Sequence, residues 1–258
     1  MRILLISDTH GRMDSINELA KKTGVEYCFH LGDLCTYTAE TLRKFPAEML
    51  YKQLKHSPRC SKEELTACCH NPEKLRLLAK KYCTYGSFGE YLSGNKHFNI
   101  PVYAVFGNND DAEMEKRLSD TPIPNLTFLN ENTQVRLGNF LICGLGGGCD
   151  ADTGNTMFKG CCFSSGQIEK LEKFFNNAQD SCPRILLTHI PPEDNPELVR
   201  LAQSAKPSLI LCGHTHHWKE SMLNGLYPVL TLPASTTGYA ILELTSQNWK
   251  YEKIQLNG

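Results

Sequence analysis

Five short polar blocks punctuate this chain, and each follows directly on an apolar run the length of one strand. The blocks are Asp8-Thr9-His10, Gly32-Asp33, Gly107-Asn108, His189 and Gly213-His214-Thr215-His216. The runs that precede them, at 2–7, 27–31, 102–106, 184–188 and 209–212, are mostly apolar, and the first and the last two are rich in Ile and Leu. Such runs are expected of strands buried on both faces. In open α/β sheets, ligand sites form where loops converge beyond the carboxyl ends of strands. Blocks far apart in the sequence are therefore expected to meet in space.

Together the blocks offer three oxygen donors (Asp8, Asp33, Asn108) and four imidazoles (His10, His189, His214, His216). A mixed set of this kind suits divalent transition metals. One ion rarely takes seven protein ligands, whereas two ions sharing one carboxylate use all seven and keep positions open. Two ions about 3.5–4 Å apart generate a hydroxide nucleophile and clamp both oxygens of an in-line phosphoryl displacement. Taken singly, the blocks have ordinary readings: Asp8 as a helix cap, Asp33 and Asn108 as turn residues, His189 as a strand-end residue. Histidine is only 9 of 258 residues, so the 214/216 pair resists such a reading. His217 adjoins it and is expected to face solvent, without a metal role.

Helices are predicted over 14–22, 110–118 and 165–177. Strands over 134–137 and 140–145 flank Gly138-Asn139, a two-residue hairpin signal. Late strands follow at 229–232, 240–244 and 249–255. Strands alternating with helices, together with hairpins, imply an α/β fold of sheets sandwiched between helices. The whole chain, 1–258, reads as one domain.

Residues 36–98 stand apart as a helical insertion between two core strands. Ser61 with Glu64 fits a capping box, and Pro72 stands near the start of a helix running to Tyr82. Eleven Lys/Arg face five Asp/Glu between 43 and 96. The insertion leaves the sheet just beyond Asp33, so it is expected to roof the site. Its Cys60, Cys68, Cys69, His70 and Cys83 lack the paired spacing of strong zinc motifs and read as buried thiols on helix faces. Tyr82, Tyr85, Phe88 and Tyr91 could stack nucleic-acid bases, but packing onto the core is the favoured reading. Gly-Leu-Gly-Gly-Gly at 144–148 matches no phosphate-binding fingerprint and reads as a tight loop near the metals.

A net charge of -1 gives no global attraction to nucleic acid or an acidic membrane surface. The apolar start of the chain is too short for a secretory signal or a membrane span. The twelve cysteines are accordingly expected as reduced thiols in a cytoplasmic protein.

These blocks, in this order, resemble the calcineurin-like metallophosphoesterase superfamily, nearest to its small bacterial and archaeal phosphodiesterases. The resemblance implies a four-layer α-β-β-α sandwich of two mixed sheets flanked by helices. It implies two divalent ions (Mn, Fe, Zn, Ni or Co), with manganese the first to try. Asp8, His10 and His216 would hold one, Asn108, His189 and His214 the other, and Asp33 would bridge them opposite a hydroxide.

Many members carry a histidine directly after the ligand asparagine, as the acid for the leaving group. Here Asn109 replaces it, and an amide cannot serve as a general acid. The small phosphodiesterases often carry asparagine or cysteine there, which tilts the expected substrate toward a phosphodiester. After Asp33 the chain reads Leu34-Cys35-Thr36-Tyr37 where protein phosphatases of the superfamily carry an Asp-Arg pair. Protein phosphatase activity is therefore not expected. Two alternatives remain: a nuclease, since lariat-debranching enzymes also carry an inserted segment, and a protein-binding scaffold, as in one retromer subunit.

Overall fold

The computed structural model describes residues 1–35, 39–56, 60–83, 86–148, 161–177, 182–246 and 248–256. Two six-stranded mixed sheets form its centre. The first contains β1 (Arg2–Ile6), β2 (Tyr27–His30), β3 (Val102–Ala104), β4 (Leu126–Phe128), β11 (Gly238–Leu244) and β12 (Trp249–Gln255). Its spatial order is β12-β11-β1-β2-β3-β4, with β1 to β4 parallel and β11 antiparallel to both neighbours. The second contains β5 (Val135–Leu137), β6 (Phe140–Leu145), β7 (Arg184–Thr188), β8 (Leu209–Cys212), β9 (Lys219–Leu223) and β10 (Tyr227–Thr231). Their order is β5-β6-β7-β8-β10-β9, with β6, β7, β8 and β10 parallel.

The apolar runs are continuous because each inner strand buries both faces. In β1, Ile3 and Leu5 enter the core between the sheets, while Leu4 and Ile6 enter the core beneath the first helical layer. That outer core receives Met13, Ile16 and Ala20 from the start and body of α1 (Asp14–Thr23), and Met114 and Leu118 from a helix over Ala112–Asp120. On the far side, Cys143, Leu186 and Ile210 pack against two further helices, Ser165–Asn177 and Pro196–Ala205. These three cores separate four layers, the sandwich the sequence predicts. At 25 cal/mol per Å² of apolar surface, each buried Leu or Ile is worth about 1.5–3 kcal/mol.

Between the parallel neighbours β2 and β3 lie α2 (Ala39–Lys44), α3 (Ala47–His56), α4 (Lys62–Cys68), α5 (Pro72–Tyr82) and α6 (Phe88–Leu92). The first four enclose a small core of their own, built on Leu42, Phe45, Leu50, Leu54, Leu65, Leu75 and Ala79. The Ser61/Glu64 capping box opens α4, and the Asn71 side chain accepts the Lys74 N–H to open α5. Helix α6 instead joins the sandwich: Phe88 and Tyr91 are buried in the outer core, and Tyr91 stacks on Phe98 at 4.4 Å. Tyr82 donates its hydroxyl to Glu64. Three of the four aromatics considered for base stacking are thus packing residues; Tyr85 lies outside the described residues. No two cysteines among the described residues form a disulfide. No described helix is long and apolar enough to cross a membrane.

Candidate metal centre

Parallel strands β1, β2 and β3 point their carboxyl ends the same way, as do β7 and β8 in the facing sheet. The loops after these five strands carry Asp8 and His10, Asp33, Asn108, His189, and His214 with His216. Backbone bonds zip the first two loops together: Asp8 N–H to the Gly32 carbonyl (3.0 Å), His10 N–H to Asp33 (3.0 Å) and Gly11 N–H to Leu34 (2.7 Å).

The structure gathers all seven predicted side chains into two adjoining groups. In one, Asp8, His10, Asp33 and His216 each place a ligand atom within 4.8 Å of the others. His216 Nε2 lies 3.1 Å from Asp8 Oδ1, and His10 Nε2 lies 3.8 Å from Asp33 Oδ2. In the other, the Asn108 carbonyl oxygen is 2.9 Å from His189 Nε2 and 3.1 Å from His214 Nδ1. Asp33 stands between the groups, its Oδ1 3.5 Å from His189 Nε2. Each group holds an edge-to-face pair of imidazoles, His10 with His216 and His189 with His214. His217 is exposed, as expected.

Donor chemistry fits cations here. Asp8 and Asp33 are 2% and 1% exposed, yet their ion-pair partners among the described residues are imidazoles alone. Buried carboxylates normally need a full countercharge or a metal. Neighbouring groups also free the correct atoms. His189 Nδ1 lies 2.8 Å from the Leu31 carbonyl, which turns Nε2 toward Asp33 and Asn108. Asp8 Oδ2 accepts the Ser7 hydroxyl (2.5 Å) and the His214 N–H (3.2 Å), which leaves Oδ1 facing His216.

Strain concentrates at the same place. Five of the eight non-glycine residues with positive φ among the described residues belong to the site: Asp8 (53°), His10 (45°), Asp33 (53°), His214 (70°) and His216 (60°). Each such conformation costs on the order of 1–3 kcal/mol and persists only where its surroundings over-determine it. Of the glycines predicted as a tight loop, Gly144 lies inside β6 against Val105 and Leu129, while Gly146–Gly148 beyond the strand lie beside the centre, with Gly148 against the Asn108 side chain and Gly146 against the Phe106 backbone.

Burial opposes the charge of Asp8, but the His216 hydrogen bond and the nearby His189 and His10 outweigh it and hold the carboxyl below its usual range. Burial likewise opposes the charge of His189, and Asp33 and Asp8 outweigh it, so its pKa lies above the normal imidazole value. The Asp8 hydrogen bond raises His216 against its partial burial. Without metal both rings keep their protons to higher pH than a free imidazole, and an ion must displace them. Apparent metal affinity therefore falls as pH drops through the imidazole range and rises above it.

Asn109, the predicted replacement for an acid histidine, grips the Asp33 carboxylate. Its backbone N–H donates to Asp33 Oδ1 (2.9 Å) and its side-chain amide to Asp33 Oδ2 (2.8 Å). Three neighbouring residues had no role in the sequence reading. Asp110, fully buried, accepts from Gly107 N–H (2.6 Å) and Cys35 N–H (2.9 Å) and so joins the loops that carry Asn108 and Asp33. Burial, and then the charge of Asp33, push its pKa up to about 7. Ser7 braces Asp8, and His30 is buried beneath Thr9. Asp110 ends the Gly107-Asn108-Asn109-Asp110 run and Ser7 precedes Asp8, so position alone pointed to both. A lone histidine inside an apolar strand gives no such signal. Among the described residues, the group with Asp8, His10, Asp33 and His216 is the only one gathering three or more His, Cys, Asp or Glu ligands.

The family described as calcineurin-like phosphoesterase matches residues 1–218. No curated protein matches the chain by sequence. Among solved structures, a dimetal phosphatase from Danio rerio is similar over 99% of this chain and 98% of its own, with TM-score 0.57 and 11% identity. GAP50, the anchor in the inner membrane complex of Plasmodium, is similar over 99% of this chain and 84% of its own, with TM-score 0.53 and 10% identity. At these identities the likenesses establish the fold.

Proposed function

Because this chain belongs to the calcineurin-like phosphoesterase family, its chemistry is metal-dependent hydrolysis of a phosphate ester, and we propose that the substrate is a small phosphodiester. In this reading Asp8, His10 and His216 hold one ion, Asn108, His189 and His214 the second, and Asp33 lies between. When bound, the ions supply a hydroxide nucleophile at neutral pH and neutralise charge on the phosphoryl oxygens.

The observation favouring a diester is the placement of Asn109. Its amide carries no proton that titrates near neutrality, and it donates to Asp33. Without a general acid at this position, departure of a poor alkoxide leaving group is unassisted. Activated aryl esters suffer least from that lack, and the small phosphodiesterases that this chain resembles often carry asparagine or cysteine there, which tilts the reading toward a diester. We read 36–98 as a helical insertion over this site. Its start follows Asp33 within three residues, and it returns where the Ser87 hydroxyl donates to the Gly11 carbonyl (2.8 Å), beside His10.

The test is an activity panel after metal removal and reloading with Mn²⁺, Fe²⁺, Zn²⁺, Ni²⁺ or Co²⁺. Bis-p-nitrophenyl phosphate is expected to turn over faster than p-nitrophenyl phosphate, with cyclic nucleotides and oligonucleotides run alongside. At limiting metal, the rate should rise with pH through the imidazole range, because His189 and His216 must shed protons to bind. A faster monoester overturns the diester assignment. Inactivity with all five metals removes esterase chemistry from this protein.

A further inference from the structure

We infer that His30 and Thr9 form a hydrogen-bonded relay that locks the turn bearing Asp8 and His10 to the turn bearing Asp33, and thereby sets the affinity of the first metal position. This rests on the metal-ligand assignment proposed above. His30 closes β2 and is fully buried. Its Nδ1 accepts the Gly32 N–H at 3.3 Å, so that nitrogen carries a lone pair. Burial lowers the His30 pKa to about 3, which keeps the ring neutral. A neutral imidazole has one N–H, here left to Nε2. Nε2 stands 2.9 Å from Thr9 Oγ1 and donates to it. The Thr9 hydroxyl then has its own proton for the Leu34 carbonyl at 3.1 Å.

The order of donors runs Gly32 to His30, His30 to Thr9, and Thr9 to Leu34, whose carbonyl is a stronger acceptor than the Met13 thioether sulfur 3.2 Å from the same hydroxyl. Gly32 and Leu34 flank Asp33, and Thr9 lies between Asp8 and His10. The relay therefore spans three ligands that all adopt left-handed backbone conformations, with φ of 53°, 45° and 53°. The backbone bonds between these turns fix their spacing. The relay adds the side-chain contacts that keep strained turns from relaxing when the ion leaves. A neutral ring does this without placing a positive charge beneath a cation site. His30 and Thr9 are positioning residues, since neither offers an atom to the metal.

The experiment measures manganese binding by calorimetry, with paramagnetic resonance to count and distinguish the two ions, on wild type, Thr9→Val, Thr9→Ser and His30→Leu. Thr9→Val keeps the shape and removes the hydroxyl; Thr9→Ser restores it. Losing an outer hydrogen-bonding partner of metal ligands costs about 10–100-fold in metal affinity. A loss of that size is expected in Thr9→Val and His30→Leu for the ion held by Asp8 and His10, with a smaller loss for the other ion, which shares only Asp33 with the relay, and with Thr9→Ser close to wild type. A purely structural role would lower the melting temperature without selectively weakening one ion.

Long-range ¹H–¹⁵N spectra of the metal-free wild type should show the His30 proton on Nε2, a readout that depends neither on metal nor on a variant that folds. Wild-type affinity for both ions in Thr9→Val, or a His30 proton on Nδ1, overturns the relay. A wild type that binds two manganese ions but cleaves no ester overturns the activity reading, while these affinities still decide the relay.

Discussion

Replacing Asp33 by Asn is expected to lower kcat/KM about 10³-fold while leaving the fold intact. Asp33 stands between the two ligand groups, near His10 on one side and His189 on the other. An asparagine keeps the shape but has one oxygen acceptor and no charge, so it cannot serve two cations at once. Its new NH₂ also faces the Asn109 amide, which now donates to Asp33 Oδ2, and two donors then oppose each other. A metal clamp supplies several kcal/mol of transition-state stabilisation, and 1.36 kcal/mol corresponds to tenfold in rate. The fold should survive because the substitution removes a buried charge that repels Asp110. Steady-state kinetics over a range of diester concentrations from below to above KM, beside thermal melting of the metal-free proteins, checks both halves. Wild-type turnover in the variant would contradict the bridging role.

Gly107→Ala is expected to damage stability and catalysis together. A Cβ at this position would land on the Asp33 backbone nitrogen and on its carboxylate oxygen. Backbone cannot step aside as a flexible side-chain tip can, so the loops bearing Asp33 and Asn108 must separate. Overpacking of this sort costs about 1–3 kcal/mol. For a chain of this size that lowers the melting temperature by roughly 2–4 °C for each kcal/mol. The Gly107 N–H bond to Asp110 would be disturbed as well. Metal affinity should fall beyond what the lost stability explains, because the Asp33 carboxylate moves relative to Asn108. A variant that melts and binds manganese like wild type would show that the loops tolerate separation.

The strand ends and the polar side chains that meet beyond them are legible because strand burial and donor chemistry are both written in residue type. An Ile/Leu run followed by Asp or His marks a strand end whatever the rest of the chain does. The elements that escaped have weaker signatures. Strand β4 is only three residues, and β9, reading Lys-Glu-Ser-Met-Leu, is a charged edge strand without clean alternation. The helix Pro196–Ala205 carried a readable start, with Asn195 accepting two N–H groups and Pro196 in the first turn, but it was passed over. The helix predicted from 110 begins instead at Ala112, because the Asp110 carboxylate turns inward to Gly107 and Cys35.

Other features depend on three-dimensional contact and leave no pattern in one sequence. The left-handed backbone of Asp8, His10, Asp33, His214 and His216 is one, since aspartate and histidine are enriched there yet mostly adopt negative φ elsewhere. The Asn109 amide shows the difference most clearly. Residue type says only that it cannot act as an acid; the fold shows that it donates to the carboxylate between the two groups. The split of the inserted helices is another, with α2 to α5 around their own core and α6 in the sandwich.

Anomalous diffraction from crystals soaked in manganese tests the two-ion geometry most directly. Two peaks about 3.5–4 Å apart are expected, one among Asp8, His10 and His216, the other among Asn108, His189 and His214, with Asp33 touching both. A single peak, or His189 and His214 turned away from it, would contradict that centre.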